Sequence, residues 1–209
     1  MTEPSTTSAA GTTPVWLFYP NLIGYGRIVL ALIAMWLFPT SPVSAMVAYA
    51  LSAALDAFDG WAARTYDQCS RFGAILDQLT DRMALLSLVM TLCSLYPNWA
   101  FSLQFSAVLD IASHWLHLHA TDLKGEATHK KSSNPILHLY YTDRRFLGFM
   151  CGGNEAFYIL LYLRAFYPGW SVFGLFYTTS FLVFLASPIA IVKSAISGVH
   201  LVTAAQQGM

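Results

Sequence analysis

Four aspartates lie at fixed spacing inside two segments that are otherwise apolar enough to span a membrane: Asp56, Asp59, Asp77 and Asp81. A carboxylate in hydrocarbon costs roughly 3 kcal/mol or more unless it meets a cation, a proton or a water-filled cavity. One such acid is explained by a hydrogen-bonded partner inside the protein, but four close together indicate a shared ligand. Carboxylate oxygens are the ligands that Mg²⁺ and Mn²⁺ prefer, and this number can hold two ions. Because two such ions clamp phosphate oxygens, the pattern predicts metal-assisted displacement at a phosphate ester.

The spacing of these acids predicts that they face one another. Asp56 and Asp59 are three residues apart, and Asp77 and Asp81 are four apart, so each pair shares one face of a helix. A short polar link at 65–70 forces the two helices to be antiparallel neighbours. We therefore expect all four carboxylates to converge in one cavity that is open to the cytosol.

The residues around the acids have matching uses. Gly60 lets a ligand or a neighbouring backbone approach closely, and Arg64 presents a guanidinium fork suited to a diphosphate. Gly73 permits close packing of the third apolar segment against the second. Ser70 precedes the third segment, where a serine caps the N-terminus of a helix.

The composition places the chain in the class of polytopic membrane proteins. Its 209 residues are 56% hydrophobic and 11% charged, whereas a soluble domain carries roughly 25% charged residues. The net charge is zero, so no basic balance favours a nucleic-acid partner. Three dispersed cysteines form neither a paired framework nor a C-x-x-C site, so we predict no role for them beyond packing.

Six stretches are long and apolar enough to cross a membrane, and they predict an all-α fold with six transmembrane helices: 21–38, 43–64, 72–95, 99–119, 145–166 and 172–200. Proline-containing turns and short polar links separate most of them, and residues 120–144 form one long polar loop. Lysines and arginines cluster beside the second link and that loop, so the positive-inside rule places these, the acids and both termini in the cytosol.

The remaining segments complete the predicted organisation. Residues 1–14 are expected to be disordered and are not a secretory signal peptide, because no basic residue precedes an apolar core. Residues 14–20 are aromatic but too short to cross, and are interpreted as an interfacial element. The prediction is one membrane domain over 15–205, followed by a tail at 206–209.

The pattern D-x2-D-G-x2-A-R-x8-G-x3-D-x3-D resembles the signature of the CDP-alcohol phosphatidyltransferases, and every fixed position is met. The resemblance implies six membrane helices, a homodimer and a CDP-lipid donor, CDP-diacylglycerol. It implies that Asp56, Asp59 and Asp77 bind a pair of Mg²⁺ or Mn²⁺ ions. Asp81 would lie near one ion and act as the base that deprotonates the acceptor. The resemblance further implies that the CDP group is held by three residues: Gly60, Arg64 and Ser70.

The acceptor is indicated by other stretches. Residues 20–27, 109–119 and 133–142 resemble the eukaryotic phosphatidylinositol synthases within that family, which implies myo-inositol as acceptor and the endoplasmic reticulum as location. Within the fourth segment, one helical stripe of hydrogen-bonding groups suits a polyol: Asp110, Ser113, His114 and His117. The alternative is that Asp110 and His114 satisfy each other inside the bundle.

Asn21 and Arg27 stand at the cytosolic mouth of the first segment. They either contact nucleotide or lipid phosphate, or anchor the helix at the interface; the sequence favours neither.

Two other functions are compatible with the acids. The first is the same reaction with glycerol phosphate, serine or choline as acceptor. A phosphorylated acceptor would need basic residues in the cavity, and Arg82 and Lys193 are the nearest candidates. A divalent-metal transporter is the other. It would need polar groups to continue across the membrane, yet the third segment after Arg82 is almost wholly apolar.

Overall fold

A computed structural model describes residues 13–124, 144–172 and 176–207. Its described part is almost wholly helical, and six long helices account for nearly all of it: α1 (Tyr19–Leu37), α2 (Pro42–Thr65), α3 (Arg71–Leu95), α4 (Ala100–Lys124), α5 (Arg144–Phe166) and α6 (Thr178–Gln207). These coincide with the six predicted stretches, so the predicted all-α membrane fold is confirmed. Most of the predicted disordered N-terminus and of the long loop, and the last two residues of the tail, lie outside the described residues.

The ends of two helices differ from the prediction. Helix α4 continues to Lys124, five residues into the segment predicted as loop. Helix α6 begins at Thr178 instead of residue 172 and runs to Gln207, beyond the predicted end of the span.

A tight turn explains the late start of α6. Gly169 has φ +79°, a conformation that side chains disfavour, and it reverses the chain directly after α5. Two short strands follow, β1 (Ser171–Val172) and β2 (Phe176–Tyr177), and they pair antiparallel. The Thr179 hydroxyl then donates to the carbonyl of Pro168 at 2.5 Å, which closes the turn against the new helix.

Three of the six helices are long and apolar enough to cross a membrane by length and composition alone: Tyr19–Leu37, Arg145–Phe166 and Thr178–Thr203. Helices α2, α3 and α4 are of similar length but carry the ionisable residues on which the functional predictions rest. Large apolar side chains such as Trp36 and Phe101 stand exposed on the helices, as expected for surfaces that face lipid.

The described residues form two compact units, one ending at Ala84 and the other beginning at Leu85. In the first unit, α1 and α2 pack along much of their length. The face of α1 that is buried consists mostly of small or polar residues at spacings of one to four: Pro20, Asn21, Gly24, Arg27, Ala31 and Ala34. Small residues let membrane helices approach closely, so this face can bring the backbone of α1 close to its neighbours.

The link between α2 and α3 sets the direction of the third helix. Asp67 adopts a left-handed conformation with φ 52°, and the N–H of Gln68 donates back to the carbonyl of Ala63 at 2.9 Å. This arrangement closes the C-terminus of a helix. The Ser70 hydroxyl then accepts from the N–H of Gly73 at 3.0 Å, which caps the N-terminus of α3.

Ahead of α1, a short 3₁₀ turn spans Val15–Leu17, and all three of its apolar side chains are exposed. Asn21 holds the turn by donating from Nδ2 to the carbonyl of Val15 at 2.5 Å. An exposed apolar turn at a helix entrance fits the predicted interfacial element.

In the second unit, α4 and α5 each pack against α6. Its core is formed by large apolar side chains with a few alanines between them, among them Leu88, Leu92, Leu103, Tyr158, Tyr162 and Ala190. Polar groups also lie inside this unit, around Asp110.

Candidate metal and nucleotide site

The four aspartates of the predicted hairpin converge in the first unit on one guanidinium group. Arg27 Nη1 lies 2.9 Å from Asp56 Oδ1, 2.6 Å from Asp59 Oδ2 and 2.7 Å from Asp77 Oδ1. Its Nη2 pairs with Asp81 Oδ1. The predicted convergence of the carboxylates is therefore observed, and the cation at its centre comes from α1.

The members of the cluster differ in their exposure to solvent. Arg27 is 1% exposed and Asp59 8%, whereas the side chains of Asp56 and Asp77 are 44% and 45% exposed. Two of the acids thus remain accessible to a ligand, while the guanidinium and Asp59 form the closed floor.

The donor set fits a hard divalent cation. Asp56, Asp59 and Asp77 each offer an oxygen, and the three oxygens lie within 4.8 Å of one another. Carboxylate oxygens are suitable ligands for Mg²⁺ or Mn²⁺. The positively charged Nη1 already sits among the same three carboxylates, which indicates that the position favours a cation.

A cavity of about 170 Å³ extends from two of these acids along the link between α2 and α3. It reaches from Asp59 and Asp77 past Gly60 to Ser70. Two of the three sequence-predicted donor-binding positions, Gly60 and Ser70, therefore line a single space that starts at the carboxylates. Arg64 is exposed and lies beside it: a Cβ built on Gly60 would be 3.4 Å from Arg64 Nη1, so the missing side chain leaves room for the guanidinium.

One packing prediction was wrong. Gly73 was expected to allow α3 to approach α2, but a Cβ added there would lie 2.8 Å from Asn21 Oδ1 on α1. Asn21 is 1% exposed and is itself held by Val15. The glycine therefore makes room for a buried amide of the first helix.

The predicted acceptor residues lie in the second unit and are engaged with one another. Asp110 is 7% exposed, and its Oδ1 lies 3.2 Å from Lys193 Nζ and 3.4 Å from Ser197 Oγ. His114 Nδ1 lies 2.7 Å from the backbone carbonyl of Asp110 and 3.5 Å from its carboxylate. The alternative, in which Asp110 and His114 satisfy each other inside the bundle, is thus observed in part. The charge of the Asp110 carboxylate is balanced by Lys193.

Of the other two predicted acceptor residues, Ser113 is already engaged in a hydrogen bond. Ser113 is fully buried and donates to the carbonyl of Asp110 at 2.9 Å. His117 lies within α4, but its side chain is outside the described part of the structure.

Both basic residues considered for a phosphorylated acceptor are paired with acids. Arg82 Nη2 lies 3.7 Å from Asp81 Oδ2, and Lys193 is bound to Asp110. An acceptor phosphate would have to compete with these carboxylates, so the described geometry favours an uncharged alcohol.

Comparison with known proteins identifies the family to which the chain belongs. The sequence model for CDP-alcohol phosphatidyltransferase matches residues 17–136, which contain the whole aspartate motif. The chain belongs to this family. No solved structure matches it significantly.

Curated family members from animals and fungi are similar over nearly the whole chain. The rat protein named CDP-diacylglycerol–inositol 3-phosphatidyltransferase is 50% identical over 197 residues, covering 92% of this chain and 91% of the relative. The human protein of the same name is 49% identical over the same coverage. The fission yeast protein, also of that name, is 40% identical over 91% of this chain and 88% of its own.

Sequence reasoning missed two parts of this family member's polar framework. It left the role of Arg27 open between phosphate contact and helix anchor, and it treated Lys193 as a candidate phosphate ligand. The available signal for Arg27 was its position on the small-residue face of α1, since an arginine buried there needs an acidic partner. Nothing in the local pattern around Lys193 indicates Asp110, because the two residues are 83 positions apart.

Proposed function

We propose that the protein transfers the phosphatidyl group of CDP-diacylglycerol to myo-inositol, forming phosphatidylinositol and releasing CMP. The observation that carries the proposal is the identity of about 50% over 92% of the chain with enzymes named for this reaction. The convergence of the signature aspartates supports it. The active unit is one membrane domain over residues 15–205.

Asp56, Asp59 and Asp77 are proposed to hold the metal, and Asp81 to join them around a second ion. Two bound Mg²⁺ or Mn²⁺ ions would neutralise the diphosphate and stabilise the charge that develops during displacement. The carboxylates themselves orient the donor by fixing where its phosphates can bind. The exposed sides of Asp56 and Asp77 leave that approach open.

The cavity beside the acids is proposed to bind the CDP group. Gly60 leaves space at its wall, and Arg64 offers a fork of donors to phosphate oxygens. The hydroxyl of Ser70 adds a further polar group, which at present accepts from the N–H of Gly73. Capping and ligand contact are compatible, because a hydroxyl oxygen can accept while its proton donates elsewhere.

Asp81 is proposed to remove the proton from the attacking inositol hydroxyl. The inositol oxygen then forms a bond to the phosphatidyl phosphorus while the bond from that phosphorus to the CMP oxygen breaks, and CMP leaves with the electron pair. An acceptor can reach Asp81 in this role, because 32% of its side chain is exposed.

Asp110, Ser113, His114 and His117 remain the proposed acceptor-recognition residues. For Asp110 to bind a hydroxyl, it must share its carboxylate with Lys193 and Ser197. Glycerol phosphate, serine and choline are alternative acceptors. A phosphorylated one is disfavoured by the existing pairing of Arg82 and Lys193.

We further propose an integral protein of the endoplasmic reticulum whose active site and both termini face the cytosol. The family resemblance supports a homodimer. Light scattering of the active enzyme in mild detergent would test this, and a monomeric mass would contradict it.

The decisive experiment is to measure CMP release from CDP-diacylglycerol by the purified protein, with and without myo-inositol and with each alternative alcohol. We expect release that requires inositol and Mg²⁺ or Mn²⁺, and that stops in excess chelator. CMP release that is stimulated equally by serine or choline would contradict myo-inositol as the specific acceptor. Cation uptake into proteoliposomes without any CMP release would favour the transporter.

A further inference from the structure

The guanidinium of Arg27 makes an unusual set of contacts. One nitrogen, Nη1, lies within 3 Å of three carboxylates, Asp56, Asp59 and Asp77, yet it carries only two hydrogens. It donates to Asp59 and Asp77, so its contact with Asp56 is an ion pair without a hydrogen bond of its own. This nitrogen is surrounded by oxygens in the way that a small cation is.

The three carboxylates around Nη1 are the same three whose oxygens lie close enough to bind one metal ion. A nitrogen and a metal ion cannot occupy one set of oxygens at once. Arg27 and the metal of the proposed function are therefore alternative partners of these acids.

The other end of the guanidinium does not look like part of a permanent support. Arg27 Nε is buried and has no hydrogen-bond partner among the described residues. An arginine with a purely structural role would be expected to have a hydrogen-bond partner for its Nε–H, because a buried donor without an acceptor is destabilising. Arg27 is instead held by Nη1 and Nη2, through contacts that a competing cation can replace. The backbone of the residue stays fixed, since Ser52 Oγ donates to its carbonyl at 2.9 Å.

Charge explains why such a group is needed. Four ionised carboxylates with Arg27 and Arg82 beside them leave a net charge of minus two (four negative, two positive). Without Arg27 the net charge is minus three, inside a membrane domain where like charges repel strongly. A counterion supplied by the chain would keep the hairpin folded before the metal arrives.

We propose that Arg27 is a built-in counterion, which neutralises the carboxylate cluster of the ion-free enzyme and yields Asp56, Asp59 and Asp77 to the divalent cation. Nη2 can stay on Asp81 during the exchange, because the two nitrogens contact different acids. The inference rests on the metal site of the proposed function. It goes beyond that function because the affinity for the metal would depend on competition with Arg27 of α1.

The competition predicts opposite effects on stability and on affinity when the charge is removed. Arg27→Met keeps a long side chain but removes the cation. We expect it to lower the melting temperature in chelator while binding Mn²⁺ more tightly, by about tenfold if the Arg27-bound form dominates the wild-type protein by that factor. Arg27→Lys keeps one charge but cannot hold both groups of acids, so we expect intermediate values.

The experiment measures Mn²⁺ binding by electron paramagnetic resonance and thermal unfolding with and without Mn²⁺, on substrate-free protein in detergent. Arg164→Met is the matched control: it loses the same charge from an exposed arginine that donates to Ser180 Oγ. We expect this control to bind Mn²⁺ like the wild type.

Each outcome decides a different point. Equal or weaker Mn²⁺ binding by Arg27→Met would overturn the counterion inference. Weaker binding would in addition assign Arg27 to support of the bound metal. If Arg27→Met does not fold, Arg27→Lys decides in the same way. Absence of Mn²⁺ binding by the wild type would refute the metal site of the proposed function itself.

Discussion

At the scale of single residues, the four aspartates are chemically identical but differently placed. Asp59 is buried on the floor beside Arg27, whereas Asp56 and Asp77 face outward and Asp81 lies between Arg27 and Arg82. A metal ligand and a proton-accepting base should fail in different ways when they are replaced. This difference allows the role of base to be separated from that of ligand.

Asp81→Asn is expected to lower kcat by at least about 100-fold, because positioned acid–base groups contribute rate factors of this order. Binding of CDP-diacylglycerol should persist, since the base acts on the acceptor. Asp56→Asn should weaken both Mn²⁺ and donor binding. Kinetics combined with equilibrium binding of the CDP-lipid test this; an equal loss of binding in the two variants would make Asp81 only a ligand.

The proposed acceptor residues permit a similarly selective test. Ser113→Ala and His114→Gln keep approximate size while removing hydrogen-bonding capacity. We expect the KM for inositol to rise by about tenfold or more, with the KM for CDP-diacylglycerol unchanged, because a site built for hydroxyl groups loses affinity when a partner is unpaired. Loss of folded protein would instead support a structural role, and unchanged inositol kinetics would place the acceptor elsewhere.

At the scale of the elements, the link after α2 and the face of α1 fix the site. The left-handed Asp67 and the Ser70 cap turn the chain into α3. Gly73 then lets α3 lie against the buried amide of Asn21. This close approach brings the acids of α3 to Arg27 of α1.

Gly73→Ala is therefore expected to destabilise the protein by about 1–3 kcal/mol, the usual cost of overpacking a buried site. Its added Cβ would meet Asn21 Oδ1 at 2.8 Å. Gly26→Ala is the control, since a Cβ there meets nothing within 4 Å and alanine favours a helix. Thermal unfolding in detergent measures both, and equal effects would contradict the close approach.

What the sequence predicted at this scale follows from local rules. Prolines and a polar link defined the turns, so α1, α2, α3 and α5 begin and end within two residues of their predicted bounds. The start of α6 was missed because it depends on the pairing of Ser171–Val172 with Phe176–Tyr177. The partners of Arg27 and Lys193 were missed for a related reason: helical spacing predicts which residues share a face, but not which distant face will meet it.

At the scale of the whole molecule, composition and charge predicted a membrane protein, and the family and its curated relatives agree with this class. Orientation is a separate property, because it depends on which side of the membrane carries the basic loops. The cysteines, which were assigned no chemical role, offer a way to measure it. Cys69 is exposed in the link between α2 and α3, whereas Cys93 and Cys151 are partly buried.

A membrane-impermeant maleimide should label Cys69 in sealed microsomes whose cytosolic face is outward, without permeabilisation. Because Cys69 also lines the cavity proposed for CDP, labelling should abolish activity, and CDP-diacylglycerol with Mg²⁺ should slow it. Cys69→Ser should remain active and resist the reagent, which excludes reaction at the other two cysteines. Labelling only after the membrane is opened would reverse the proposed orientation. Labelling at the same rate with and without CDP-diacylglycerol would be compatible with the proposed orientation but would contradict binding of the CDP group in this cavity.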